Sequence, residues 1–139
     1  MDDKLKYKKS LLSTLWIFAV LNYLYCDVAS LMDNNLLKQY LSGKVDGMEI
    51  TQFFLLLAGV LMEISISMVL LSKIMPYKSN KILNIIASVI ATFVQTATLF
   101  AGKPTMYYLF FSIIEISCTI SIFIIALKWR NDTIKKAAD

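Results

Sequence analysis

A chain of 139 residues with 58% hydrophobic residues, 17% charged residues and a mean hydropathy of +0.63 is too apolar for a soluble domain, whose charged fraction is about 25%. Its net charge of +4 invites a nucleic-acid partner. The basic residues, however, flank long apolar runs and leave no basic face interleaved with aromatics, so no nucleic acid is expected.

A helix rising 1.5 Å per residue needs roughly 20 apolar residues to cross a bilayer core about 30 Å thick. The first span is expected over residues 11–31. It runs on through Leu24, Tyr25 and Cys26 with no small-residue cleavage site, so it reads as a retained helix and not a signal peptide. Residues 32–51 form a longer external link. Within it Asp33 to Gly43 reads as a capped, amphipathic short helix closed by glycine, lying on the membrane surface or lidding the bundle.

The second span covers 52–75 and ends at Pro76; the third covers 82–101. The turn Gly102-Lys103-Pro104 leads into the fourth, 105–129. Short links imply antiparallel neighbours. The expected fold is therefore all-α, a single membrane domain over residues 1–139 built as an antiparallel bundle of four transmembrane helices. No internal repeat or second domain is evident.

Lysines and arginines near span ends set orientation. Of the 14, Lys38, Lys44 and Lys103 fall on the link side and all the others on the side of the termini. This predicts a plasma-membrane protein with both termini cytoplasmic. Trp16 and Trp129 then lie near the inner ends of their spans, with Tyr40, Tyr107 and Tyr108 towards the outer boundary. The glycosylation sequon Asn131-Asp132-Thr133 is discounted because it falls on the cytoplasmic side.

Each span carries polar or small residues at three- and four-residue spacing, which places them on one helix face. Tyr23, Asp27 and Ser30 mark the first; Gln52, Gly59, Glu63 and Ser67 the second; Asn84, Ser88, Gln95 and Thr98 the third; Tyr108, Ser112, Glu115 and Thr119 the fourth. Asn22 lies off the first line. Small residues on such lines let membrane helices approach and hydrogen-bond, which accounts for the serines and threonines.

The carboxylates need more, since a charge at the bilayer centre costs about 2.5–3.5 kcal/mol on the lenient scale. Counted from the outer ends, Glu63 and Glu115 lie about 15 Å deep, near the midplane, with Asp27 roughly 6 Å deep. No Lys, Arg or His lies deep in a span to neutralise them. They must be held as neutral acids, or share a proton or bound cation. If the lines converge, Glu63, Glu115, Asp27, Gln95, Tyr23, Asn22 and Tyr108 would build a carboxylate-lined ligand pocket opening outward from the midplane.

Little else points to chemistry. There is no histidine, no Cys-x-x-Cys and no glycine-rich phosphate loop. Cys26 and Cys118 sit in separate spans and read as small apolar side chains. The seven methionines form no copper-type cluster. The residues name no metal and no cofactor.

The runs Asp27-Val28-Ala29-Ser30-Leu31, Thr51-Gln52-Phe53-Phe54-Leu55-Leu56 and Leu61-Met62-Glu63-Ile64, with Tyr107-Tyr108-Leu109-Phe110-Phe111-Ser112-Ile113-Ile114-Glu115-Ile116, resemble a family of small, uncharacterised prokaryotic four-helix membrane proteins. The resemblance covers nearly the whole chain and implies topology but no activity. A looser likeness is to small DoxX-type membrane subunits.

Three functions follow as expectations. The first is proton- or cation-coupled binding or transport of a small molecule. The second is the small subunit of a membrane oxidoreductase that holds a quinone or lipid. The third is an accessory membrane protein whose polar contacts are purely structural. The expected partners are the lipid bilayer, a small-molecule, proton or cation ligand, and a second copy of the chain as a homo-oligomer.

Overall fold

The computed structural model describes residues 3–130. The sequon Asn131-Asp132-Thr133, Lys135 and Lys136 lie outside the described residues. Helix α1 (Asp3–Met32) begins eight residues before the expected span, because its lysine-rich start is made of good helix formers and carries Asp3 in the first turn.

The link begins with α2 (Asn34–Ser42). Asp33 accepts hydrogen bonds from the backbone N–H groups of Asn35 and Leu36, and Gly43 closes the helix at a left-handed φ of 75°. A two-stranded antiparallel hairpin, β1 (Lys44–Val45) and β2 (Met48–Glu49), follows. It was not expected. Its signal was the Asp46-Gly47 dipeptide, which takes φ of 48° and 82° as a tight hairpin turn demands. The Asp46 N–H donates to Gln39 Oε1 at 2.9 Å. The Asp46 carboxylate lies so close to Gly102 that a Cβ there would collide with it. The hairpin tip thus reaches across to the turn between the last two helices.

Thr51 caps α3 (Gln52–Ile74) by accepting from the Phe54 N–H, and Pro76 separates it from α4 (Tyr77–Phe100). The chain ends its described course in α5 (Met106–Leu127), which starts after Pro104. All four long helices are long and apolar enough to cross a membrane, as expected of a multi-pass membrane protein. The all-α expectation holds, the two-residue strands apart.

Around the bundle the order is α1, α3, α4, α5, with α5 returning to α1. Neighbours run antiparallel: Ser13 near the start of α1 donates to the Val69 carbonyl near the end of α3, at 2.7 Å. Tyr77 at the start of α4 meets Trp129 just past the end of α5.

The packing is unequal from end to end. In the half that carries the termini, Leu12, Trp16, Met68, Ile122 and Trp129 form the buried core. Around them runs a closed polar network. The Trp16 indole donates to Asn84 Oδ1 at 2.8 Å, and the Ser72 hydroxyl reaches the same oxygen at 3.3 Å. Asn84 donates to the carbonyl and side-chain oxygens of Asn80, at 2.9 and 2.7 Å. Asn80 donates to the Ser72 carbonyl at 2.6 Å. In the other half, every α3 residue from Gln52 to Val60 is exposed.

Replacing Asn84 with alanine strands the Trp16 N–H and the Asn80 side-chain oxygen in the core, at a cost on the order of 2 kcal/mol. Buried Cys26 and Cys118 report unfolding through labelling by a thiol-reactive dye. Asn84→Ala is expected to lower the labelling midpoint on heating by several degrees. Thr96→Ala, which removes only a bond to the Thr92 carbonyl of its own helix, is expected to leave it in place.

Candidate functional site

Glu115 is placed by α5 facing α1, one turn beyond Ser112 and one before Thr119, so that all three side chains look inward. Its side chain is 1% exposed, and among the described residues neither carboxyl oxygen has a hydrogen-bond partner. Most buried side-chain polar atoms are paired. The Thr119 hydroxyl does not serve it, since it turns to the backbone carbonyls of Glu115 and Ile116.

The surroundings come from α1 and α5. Tyr23, Cys26 and Asp27 on α1 and Tyr108 on α5 all lie within electrostatic reach of Glu115. Tyr23 is half-buried, Cys26 buried and Asp27 exposed. The Tyr108 hydroxyl donates to Thr98 Oγ1 at 2.7 Å. Gln95 of α4 donates to Ser112 Oγ at 2.9 Å and so fixes α4 against α5 one turn from the carboxyl. Tyr40 of α2 lies within electrostatic reach of Asp27, Tyr107 and Tyr108. Partial burial, and then the Asp27 carboxylate, push its phenol up.

Between α3 and α4 runs a crevice of about 250 Å³. Its walls are apolar, among them Phe54, Leu57, Leu61, Ile90 and Val94, and its polar points include Tyr23 and Gln95. Both lead towards Glu115: Tyr23 lies within its electrostatic reach, and Gln95 bonds Ser112, one turn from it on α5. The crevice opens because the start of α3 stands away from the bundle.

Two expected members are elsewhere. Asn22 turns back on its own helix, donating to the Phe18 carbonyl at 2.8 Å. Glu63 is exposed and does not meet Glu115. The buried face of α3 is Ser65, Met68 and Ser72, and at 100° per residue Glu63 lies nearly opposite Ser65. Its nearest polar partner is Ser67, at 3.4 Å on the same helix. The four polar lines therefore do not converge; that of α3 points out of the bundle.

The sequence reading passed over the Asn80, Ser72, Tyr77 and Lys81 contacts. Tyr77 and Lys81 both donate to the Trp129 carbonyl, at 2.7 and 3.0 Å. The pair Asn80 and Asn84, four residues apart on one face, was the available signal. Among the described residues no group of three or more Cys, Asp and Glu could hold a metal ion.

The model of a family of unknown function (DUF6326) matches residues 3–136. No curated protein and no solved structure matches the chain.

An acid buried without a partner costs about 1–3 kcal/mol. Glu115→Leu removes both oxygens at similar volume and is expected to hold or raise the thiol-labelling midpoint. A fall of several degrees would mean that the carboxyl contributes to packing.

Proposed function

The chain belongs to this family of unknown function, and from its own residues we propose that it is a membrane binding or transport protein in which Glu115 takes up a proton or a small amphipathic cation. The observation that carries this reading is the Glu115 carboxyl, buried at mid-span with neither oxygen partnered among the described residues. Such a group is costly in a membrane, and ionisable residues kept there generally mark substrate, ion or proton pathways.

The crevice supplies the rest. An apolar body fits between α3 and α4, as ligand pockets with few polar points generally allow. The positive end then passes Tyr23 and Gln95 towards the carboxyl. Asp27, Tyr40 and Tyr108 form a polar mouth above it. Proton and cation compete for one carboxyl, which is the elementary requirement for coupling the two.

The apolar, membrane-facing crevice also favours a second reading, in which a quinone or lipid tail lies there against Tyr23. Solvent extraction of the purified protein separates the two, since a stoichiometric quinone would support the second.

The test uses phenethylammonium, an aromatic body with one ammonium end, as the probe cation with the protein in liposomes. Wild type is expected to bind it more weakly as the pH falls, because protons compete. Glu115→Gln is expected to lose at least tenfold in affinity and the pH dependence with it, while keeping its thiol-labelling midpoint. Glu63→Gln is expected to bind as wild type does. Equal binding by Glu115→Gln and wild type would overturn the reading.

The proposed location is the plasma membrane with both termini cytoplasmic, supported by the lysine asymmetry. With Cys26 and Cys118 changed to serine, an impermeant maleimide added to intact cells is expected to label Lys44→Cys and not Lys78→Cys. The reverse pattern would invert the orientation.

A further inference from the structure

The outward face of α3 carries Leu56, Gly59, Glu63, Ser67, Leu70 and Ile74 at three- and four-residue intervals, exposed except for half-buried Ser67. An acid among apolar side chains at mid-span faces hydrocarbon, which offers no hydrogen bond. Ser67, at 3.4 Å, is a long and single contact for a group with several bonding sites.

Gly59, one turn before Glu63, is a second anomaly. A Cβ added there meets nothing within 4 Å, so nothing in this chain's own packing requires a glycine. Glycine weakens a helix interior and is kept in membrane helices where another helix comes close.

We propose that a second copy of the chain packs on this face, α3 against α3, about a two-fold axis along the membrane normal, with the two Glu63 carboxyls hydrogen-bonded to each other. The complement to an acid in this setting must be polar and at the same depth. No basic side chain lies at mid-span in any of the four helices.

A second copy, inserted in the same orientation, brings its own Glu63 to the same level automatically, as an isologous interface requires. A carboxylic acid offers one donor and an acceptor, so two of them close a reciprocal pair. Gly59 lets the backbones approach beside that pair, and Leu56 and Leu70 pack above and below it. The crevice lies on the other side of α3, so this contact leaves it open.

The experiment counts subunits of the purified, fluorescently labelled chain in liposomes by single-molecule photobleaching over a range of protein-to-lipid ratios. Wild type is expected to be dimeric, and Glu63→Gln, whose amide keeps a donor and an acceptor, to remain so. Glu63→Ala and Gly59→Leu are each expected to associate at least tenfold more weakly. Gly59→Leu enters open space, so it tests the interface without disturbing the fold.

In a Cys26→Ser, Cys118→Ser background, Leu70→Cys is expected to cross-link copies on mild oxidation, and Ile120→Cys on exposed α5 is not. A monomeric wild type would overturn the proposal, as would a Gly59→Leu variant that dimerises like wild type or cross-linking equal at both cysteine positions.

Discussion

The hydrogen bond from the Trp16 indole to Asn84 organises the terminal half of the bundle. α1 and α4 are diagonal in the ring, so this one bond spans its interior, and Ser72 brings α3 to the same acceptor. Asn84 spends both donors on Asn80 and its oxygen on two other helices, so no polar capacity is left over. In a membrane the hydrophobic effect does not press helices together, and packing with interhelical hydrogen bonds must do so. Individual bonds of this kind are worth about 1 kcal/mol, but a satisfied network permits one register only. The T-shaped contact of Tyr77 with Trp129, at 5.3 Å between ring centres, closes the same end through α5.

Fixing one end allows the other to be loose. The α4 and α5 helices stay zipped along their length by Thr92 with Thr119, Gln95 with Ser112 and Thr98 with Tyr108. Among the described residues α3 makes no comparable bonds in its first half, and there its residues are exposed and the crevice opens. The link adds a light constraint from above, with Asp46 held by Gln39 against the Gly102 turn. Local openings are drawn from regions with few buried contacts. The half of α3 beside the crevice is such a region, and the Asn80–Asn84 end is not.

Span positions, the Asp33 and Gly43 caps of α2 and the Pro76 break were legible because length, hydropathy and capping chemistry are local properties. The facing of α3 was not. Periodicity shows that Gly59, Glu63 and Ser67 share a face, but it does not show whether that face looks into the bundle or out of it. In a soluble helix the apolar side would mark the core and settle the matter. In α3 both sides are apolar, and only Ser65, Met68 and Ser72 packing on α1 and α4 decide it. The same ambiguity was harmless in α5, because Glu115 shares its face with Ser112, Cys118, Thr119 and Ala126, whose small or polar side chains suit close approach to α1 and α4.

Glu63 and Glu115 make the physical point sharply. They occur in similar sequence, at similar depth and on helices of similar hydropathy, yet one is enclosed and the other faces outward. Among the described residues neither finds an adequate hydrogen-bond partner, and the direction each faces restricts what could supply one. Glu115 is enclosed, one turn along α5 from the Gln95–Ser112 bond. Glu63 is accessible to another helix and beyond the reach of anything held in the crevice. Because the two side chains stand on different helices and share no partner among the described residues, a substitution at one changes no contact of the other, and their effects should add. A variant at both positions that departs from additivity would show that the outer face of α3 and the Glu115 site are energetically coupled.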